Sequence, residues 1–280
     1  MLKVESPKAF NELVKAFRAR KGKPLTNCFL MPDETQRLTD EGKMFYGEFE
    51  DWLLFICDRD DYYSFFYYTV EASDTEDVKK FIGSIKDKDV FADIVSRAGT
   101  GDRLTPEKLV NQGAAEKYKT YQRMQFDMKN TDFSTITAKL HEDYSLSTQY
   151  CDCEKIVALW KNALDEKSTP LPKDEELHSF ASEGHLYTAL DREGELAAVL
   201  VLAVSGRQGL LQHLSVSAEH RRKGLADFLM KNGILSAHKE GLSALRLWVD
   251  CVNTPAVALY DRLGFVTDGM LCEQLYMKGI

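Results

Sequence analysis

Three consecutive cations and a glycine, Arg221-Arg222-Lys223-Gly224, stand between an apolar run and a helical one. Arginine and lysine supply positive charge, and a glycine lets backbone approach a ligand closely, so the cluster is suited to holding an anion. The run before it, from Leu211 to Val216, spaces Leu211, Leu214 and Val216 for burial and reads as a strand, with Ser217 to His220 as a polar break. The run after it, opening on Leu225-Ala226-Asp227, repeats Leu225, Phe228, Leu229 and Leu235 near a helical period. A helix start points free N–H groups outward and its dipole favours negative charge, so strand, basic glycine loop and helix together can hold a phosphate. Taken alone, the same run also suits a solvated, charged helix end.

The residues downstream add to it. After a second strand, Ser243 to Asp250, comes Asn253-Thr254-Pro255-Ala256-Val257-Ala258-Leu259-Tyr260-Asp261-Arg262-Leu263-Gly264-Phe265. Arg-x-x-Gly-x-Ala, followed at this distance by Asn-x-x-Ala-x-x-Leu-Tyr-x-x-x-Gly-Phe, resembles the GCN5-related N-acetyltransferase (GNAT) superfamily, and the resemblance covers about the last half of the chain. It implies acetyl-CoA as co-substrate. In that family the strand before the loop diverges from the strand after the helix, and the gap admits the coenzyme's pantetheine arm. The resemblance assigns backbone pairing with that arm to Leu214, Ser215 and Val216, and the diphosphate cradle to Arg222, Lys223, Gly224, Leu225, Ala226 and Asp227. Arg221 adds charge at the same end. Asn253 matches a side-chain contact to the coenzyme and also suits a helix N-cap. Tyr260 matches the acid that protonates the departing thiolate, although Ala256, Tyr260 and Leu263 share a face that also suits packing.

A base must also take the ammonium proton of an amine acceptor. Where the family often has a strand glutamate, this chain has Gln212, His213 and Trp248, none a carboxylate. His213 has a suitable ordinary pKa. A histidine on a half-buried strand equally suits a structural role, and a water chain is the remaining route.

Those residues need elements to position them. The 280-residue chain is 44% apolar and 29% charged, which suits a soluble globular protein of two modest domains or one large one. Its net charge of -8 argues against a nucleic-acid or anionic-membrane surface and mildly favours a basic acceptor. No apolar leader or membrane span is visible, so a cytoplasmic protein is expected. Cys28, Cys57, Cys251 and Cys272 are scattered, and Cys151-x-Cys153 lacks a second pair or a histidine at ligand spacing, so no metal is expected.

In the C-terminal half, residues 152–166 and 173–181 read as helices and Leu196 to Val204 as a central strand, apolar on both faces. In the N-terminal half, residues 7–20 read as a helix. The aromatic block from Lys43 to Glu71 reads as strands broken at Asp58-Arg59-Asp60-Asp61. A helix from Ser73 or Asp74 through Lys86, a strand from Asp89 to Val95, a helix from Thr105 to Lys117 and a strand from Thr120 to Met128 follow. Both halves thus run three strands, helix, strand, helix, strand. The expected fold is α/β, with tandem GNAT-like domains, each a mixed and mainly antiparallel sheet flanked by helices. Residues 1–128 form a diverged domain and residues 129–280 the acetyltransferase domain, with residues 129–146 as linker. At the loop position the first half reads Glu71-Ala72-Ser73-Asp74-Thr75-Glu76-Asp77, with acids and no glycine, which repels a diphosphate.

The function expected is transfer of acetyl from acetyl-CoA to a primary amine of a small molecule or peptide, by a monomer or homodimer that uses neither nucleic acid nor membrane. A coenzyme-binding sensor or interaction module without turnover is the alternative. An aminoacyl transferase using charged tRNA is disfavoured by the acidic balance.

Overall fold

The computed structural model describes residues 1–70, 74–85, 87–97, 104–165, 167 and 169–279. Two compact units arise: Met1–Tyr121 together with Gly269–Ile280, and Gln122–Asp268.

In the first unit the chain forms β1 (Leu2–Lys3), α1 (Pro7–Lys21), β2 (Leu25–Thr26), α2 (Pro32–Asp40), β3 (Met44–Glu48), β4 (Trp52–Asp58), β5 (Tyr63–Thr69), α3 (Glu76–Gly83), β6 (Val90–Arg97), α4 (Leu104–Asn111) and β7 (Ala115–Phe126). Ser6 starts α1, its hydroxyl accepting from Ala9 N at 3.2 Å, and the helix buries Phe10, Val14 and Phe17 as its period predicts. Strands β3, β4 and β5 pair antiparallel, whereas β5 and β6 run parallel. Alternation along β4 divides the core. Trp52, Leu54 and Ile56 pack with Val78, Phe81, Ile82 and Leu109, while Leu53, Phe55 and Cys57 pack with Phe10, Val14, Phe17 and Leu38. The hairpin expected at Asp58 to Asp61 forms, with Asp60 in the left-handed region at φ 74°.

The second unit continues through β8 (Ser145–Ser147), α5 (Cys153–Ala163), α6 (Asp174–Glu183), β9 (Leu186–Leu190), β10 (Leu196–Ser205), β11 (Gln208–Val216), α7 (Leu225–Lys239), β12 (Ala244–Asp250), α8 (Thr254–Arg262) and β13 (Phe265–Met277). Strand β10 lies between β9 and β11, antiparallel to both. It is buried on both faces, Ala198, Leu200 and Leu202 against the α7 side, Val199 and Val201 against α5 and α6. No helix of the described residues is long and apolar enough to cross a membrane.

The repeated order is present: β3-β4-β5-α3-β6-α4-β7 in the first half and β9-β10-β11-α7-β12-α8-β13 in the second. Helix α2 falls between the helix read at residues 7–20 and the strands read from Lys43, where the sequence names no element, and β7 starts at Ala115, inside the stretch read as helix. The start of the acidic segment, residues 71–73, and Lys86 lie outside the described residues. A single cut after residue 128 does not describe the compact units. The chain leaves the first unit within β7 and returns to it within β13, so that Leu275 and Met277 sit in the first unit's core.

Candidate active site

The site is built where two parallel strands part. Strands β11 and β12 pair only over Gln208 to Leu210 and Ala244 to Arg246, although β11 runs on to Val216 and β12 to Asp250. A bulge turns β11 away. Against β10, the register passes from Val199 opposite Ser215 to Val201 opposite Gln212, so β11 carries one extra residue there. His213 absorbs the distortion at φ 56°, a left-handed conformation that costs a non-glycine residue of order 1 kcal/mol. Helix α5 holds it in place: Trp160 is fully buried, donates from Nε1 to the His213 carbonyl at 2.8 Å, and sets its ring 5.0 Å from the imidazole.

Past the bulge, three polar atoms within five residues are buried without a hydrogen-bond partner: His213 Nδ1, Ser215 Oγ and Ser217 Oγ. Each such group costs about 1–3 kcal/mol. Their concentration beside an open strand edge fits a ligand that itself carries hydrogen-bonding groups, as the amides of a pantetheine arm do.

The loop ends in a helix start with no side-chain cap. Gly224 occupies the N-cap position at φ 82°, Arg222 is left-handed at φ 61°, and the first-turn N–H groups of α7 receive nothing from a capping side chain. A Cβ on Gly224 meets no atom within 4 Å. The glycine is therefore required by its backbone angle, and a side chain there would project into the space a ligand would use. Arg221 donates from Nε to the Val216 carbonyl at 3.2 Å, and Lys223 lies 5.9 Å from the centre of the Tyr144 ring. Arg222 makes no ion pair among the described residues. Asp227, the one acid of the first turn, is paired with Lys231 at 2.8 Å.

Helix α8 brings the remaining candidates. Asn253 is its N-cap, Oδ1 accepting from Ala256 N at 3.2 Å, which leaves the amide nitrogen available on an exposed residue. Tyr260 is 9% exposed and packs edge-on against Phe265, 6.1 Å between ring centres. Its hydroxyl bonds to no described residue, and burial pushes its pKa up to about 12. Leu214, Val216, Leu225, Ala256 and Tyr260 share one apolar cluster with α7, so the coenzyme candidates and the tyrosine are assembled together. His213 is not among them. Its ring meets Trp160, which belongs to the cluster of α5 and α6. Burial drives its pKa down to about 4, so the imidazole is neutral at pH 7. The clamp by Trp160 and the unpartnered Ser217 escape a reading of residue types, because the bulge that makes them matter has no signature in composition.

The first unit has the same parting of strands with a different filling. Strands β5 and β6 pair only at Tyr63 with Val90 and Ser64 with Phe91. Beyond that, Asn27, 1% exposed, donates from Nδ2 to the carbonyls of Phe65 (3.0 Å) and Asp93 (3.2 Å) and accepts from Tyr67 N at 2.8 Å. Strand β2 pairs alongside, Leu25 with Thr69 and Thr26 with Tyr68. The gap that is open in the second unit is closed here by the chain's own side chain and strand.

A model of the acetyltransferase (GNAT) family matches residues 152–265. The ribosomal protein bS18-alanine N-acetyltransferase of Escherichia coli (strain K12) is 30% identical over 105 residues, which span 36% of this chain and 70% of that one. Mycothiol acetyltransferase of Paenarthrobacter aurescens (strain TC1) is 39% identical over 93 residues, 31% of this chain and 28% of that one. Among solved structures, a tandem GNAT protein from the clavulanic acid biosynthesis pathway shares the fold with a TM-score of 0.56 at 14% identity, over 94% of this chain and 86% of that one.

Proposed function

The chain belongs to the acetyltransferase (GNAT) family, and from that premise we propose that its second unit takes acetyl-CoA and moves the acetyl group directly to a primary amine of a small molecule or peptide. The observation that carries this reading is the parting of β11 from β12 directly before an uncapped, basic helix start. When bound, acetyl-CoA supplies the acetyl group as a thioester. Leu214, Ser215 and Val216 offer backbone groups on the free edge of β11, as in strand addition. The first-turn N–H groups from Leu225 to Asp227 face the diphosphate, with Arg221, Arg222 and Lys223 supplying charge around Gly224. The amide nitrogen of Asn253 adds a donor at the start of α8. Tyr260 holds a proton on its hydroxyl throughout the physiological range and gives it to the departing sulfur.

With its ring against Trp160 and outside the cluster that holds Tyr260, His213 would take the ammonium proton of the acceptor only through water. With a pKa near 4 this is a weak base. The site therefore favours acceptors that lose their proton unaided, so α-amines, ordinarily near ~7.7–8.0, suit it better than lysine amines near ~10.4. The same weakness supports a second reading, a coenzyme-binding module without turnover. Thiol release measured over a panel of amines and peptide N-termini separates the two. Calorimetry tests the binding itself. One acetyl-CoA should bind per chain, because Asn27 and β2 close the equivalent gap of the first unit. Gly224→Val should abolish binding with the fold retained by circular dichroism. Unchanged affinity in that variant, or two molecules bound per chain, overturns the assignment.

A further inference from the structure

Cys151-x-Cys153 has no histidine at ligand spacing along the chain, but the fold supplies one. Cys151 lies just before α5, Cys153 is the first residue of α5, and His178 stands on α6. The two Sγ atoms are 3.6 Å apart, Cys153 Sγ lies 3.8 Å from His178 Nε2, and the ligand atoms of all three residues fall within 4.8 Å of one another. A tetrahedral zinc with Zn–S near ~2.3 Å and Zn–N near ~2.0 Å spaces its sulfurs roughly 3.8 Å apart and sulfur from nitrogen roughly 3.5 Å apart. The sulfur pair at 3.6 Å and the Cys153–His178 pair at 3.8 Å lie close to two edges of that tetrahedron, and the Cys151–His178 pair, within 4.8 Å, closes by a side-chain adjustment at the exposed His178.

We propose that Cys151, Cys153 and His178 bind one zinc ion, with water in the fourth position. Soft thiolates and an imidazole form a donor set that selects zinc over magnesium or calcium. Asp152, between the cysteines, is engaged elsewhere: its carboxylate accepts from Lys155 N at 3.1 Å and caps α5. Cys153 begins that helix, where the free N–H end favours a negatively charged ligand atom. Binding displaces two thiol protons to solvent. The ion would tie the start of α5 to α6, and α5 is the helix whose Trp160 holds the His213 carbonyl. A simple dithiol pair has no need of the imidazole, and His178 is exposed enough to have gone elsewhere.

Cobalt(II) titration of the full chain, stripped with chelator and kept reduced with a phosphine, tests the site. One equivalent should give a thiolate-to-cobalt band in the near ultraviolet and the strong visible bands of tetrahedral coordination, and zinc should bleach both. The Cys151→Ser/Cys153→Ser variant should lose the bands while it retains Cys28, Cys57, Cys251 and Cys272 as internal controls. His178→Ala, at an exposed position that spares the fold, should weaken affinity by at least the ~10–100-fold seen when an outer-shell partner is lost. Bands as strong in the double serine variant, or affinity unchanged in His178→Ala, overturn the proposal. So does a pair that oxidises to a disulfide in air and takes up no cobalt when reduced.

Discussion

Tyr260 and His213 are both displaced from their ordinary pKa by burial, in opposite senses, and each displacement carries an expected outcome. With its pKa near 12, Tyr260 keeps its proton at every working pH, as the proposed donor role requires. Tyr260→Phe should lower kcat roughly a hundredfold near neutrality, the low end of acid–base catalysis, because the leaving thiol is already acidic. The deficit should shrink above pH ~8.5, where the thiolate needs no proton. If Tyr260 only packs against Phe265, the rate ratio stays flat with pH and stability falls instead. His213 acts on stability. Its folded pKa of about 4 lies below the unfolded 6.5, so its contribution is complete above pH 6.5 and is lost as pH falls toward 4, at about 1.4 kcal/mol per pH unit. Urea titrations from pH 7 to 4 should show that loss in the native chain and not in His213→Gln. The basic glycine turn before α7 is legible from residue types and spacing, because backbone angle and charge belong to the residues themselves. The altered basicity of His213 is not, since it comes from burial in the folded chain, where Trp160, fifty-three positions away, packs against the ring.

Elements with a strong apolar period follow from sequence, and those held by polar contacts do not. Helix α1 shows Phe10, Val14 and Phe17 at helical spacing, whereas α2 buries only Leu38 among large apolar residues. Its other buried side chains are Thr35 and Thr39, whose hydroxyls turn back to Met31 O (2.9 Å) and Thr35 O (3.0 Å). The signals that do mark α2 are Pro32, Asp33 and Glu34 at its start. The start of β7 was hidden by helix-forming residues after Gly113, which at φ 74° ends α4 and hands Ala114 N to the Leu109 carbonyl at 2.8 Å. Closure of the first unit's gap combines β2, paired along β5, with the Asn27 side chain, which reaches both strands. Asn27→Ala should cost roughly 2–4 kcal/mol by urea denaturation, since it withdraws partners from three backbone groups, those of Phe65 and Tyr67 in buried bonds and that of Asp93 in a part-buried one. Acetyl-CoA stoichiometry should stay unchanged, because β2 still lies along β5.

For the whole chain, the tandem order of elements is legible because it repeats, while the membership of the last strand is not, because nothing in Gly269 to Met277 names its neighbour. That segment pairs with β6 from Met270 opposite Arg97 to Tyr276 opposite Phe91, and Leu275 and Met277 are 0% and 3% exposed in the first unit's core. A fragment of residues 1–128 should therefore fail to melt cooperatively, and appending residues 269–280 through a flexible linker should restore a cooperative transition in circular dichroism. A two-state melt of residues 1–128 alone would show that β13 is dispensable there. The same strand sets the order of events during synthesis. An N-terminal unit ordinarily folds on the ribosome while the rest of the chain is still being made. Here the unit begun first waits for residues 269 onward to emerge, with the free edge of β6 exposed for as long as translation of the second unit takes. Slow decoding between residues 122 and 268 would lengthen the exposure of an aggregation-prone edge, so synonymous codon choice in that stretch should alter soluble yield without changing a single amino acid.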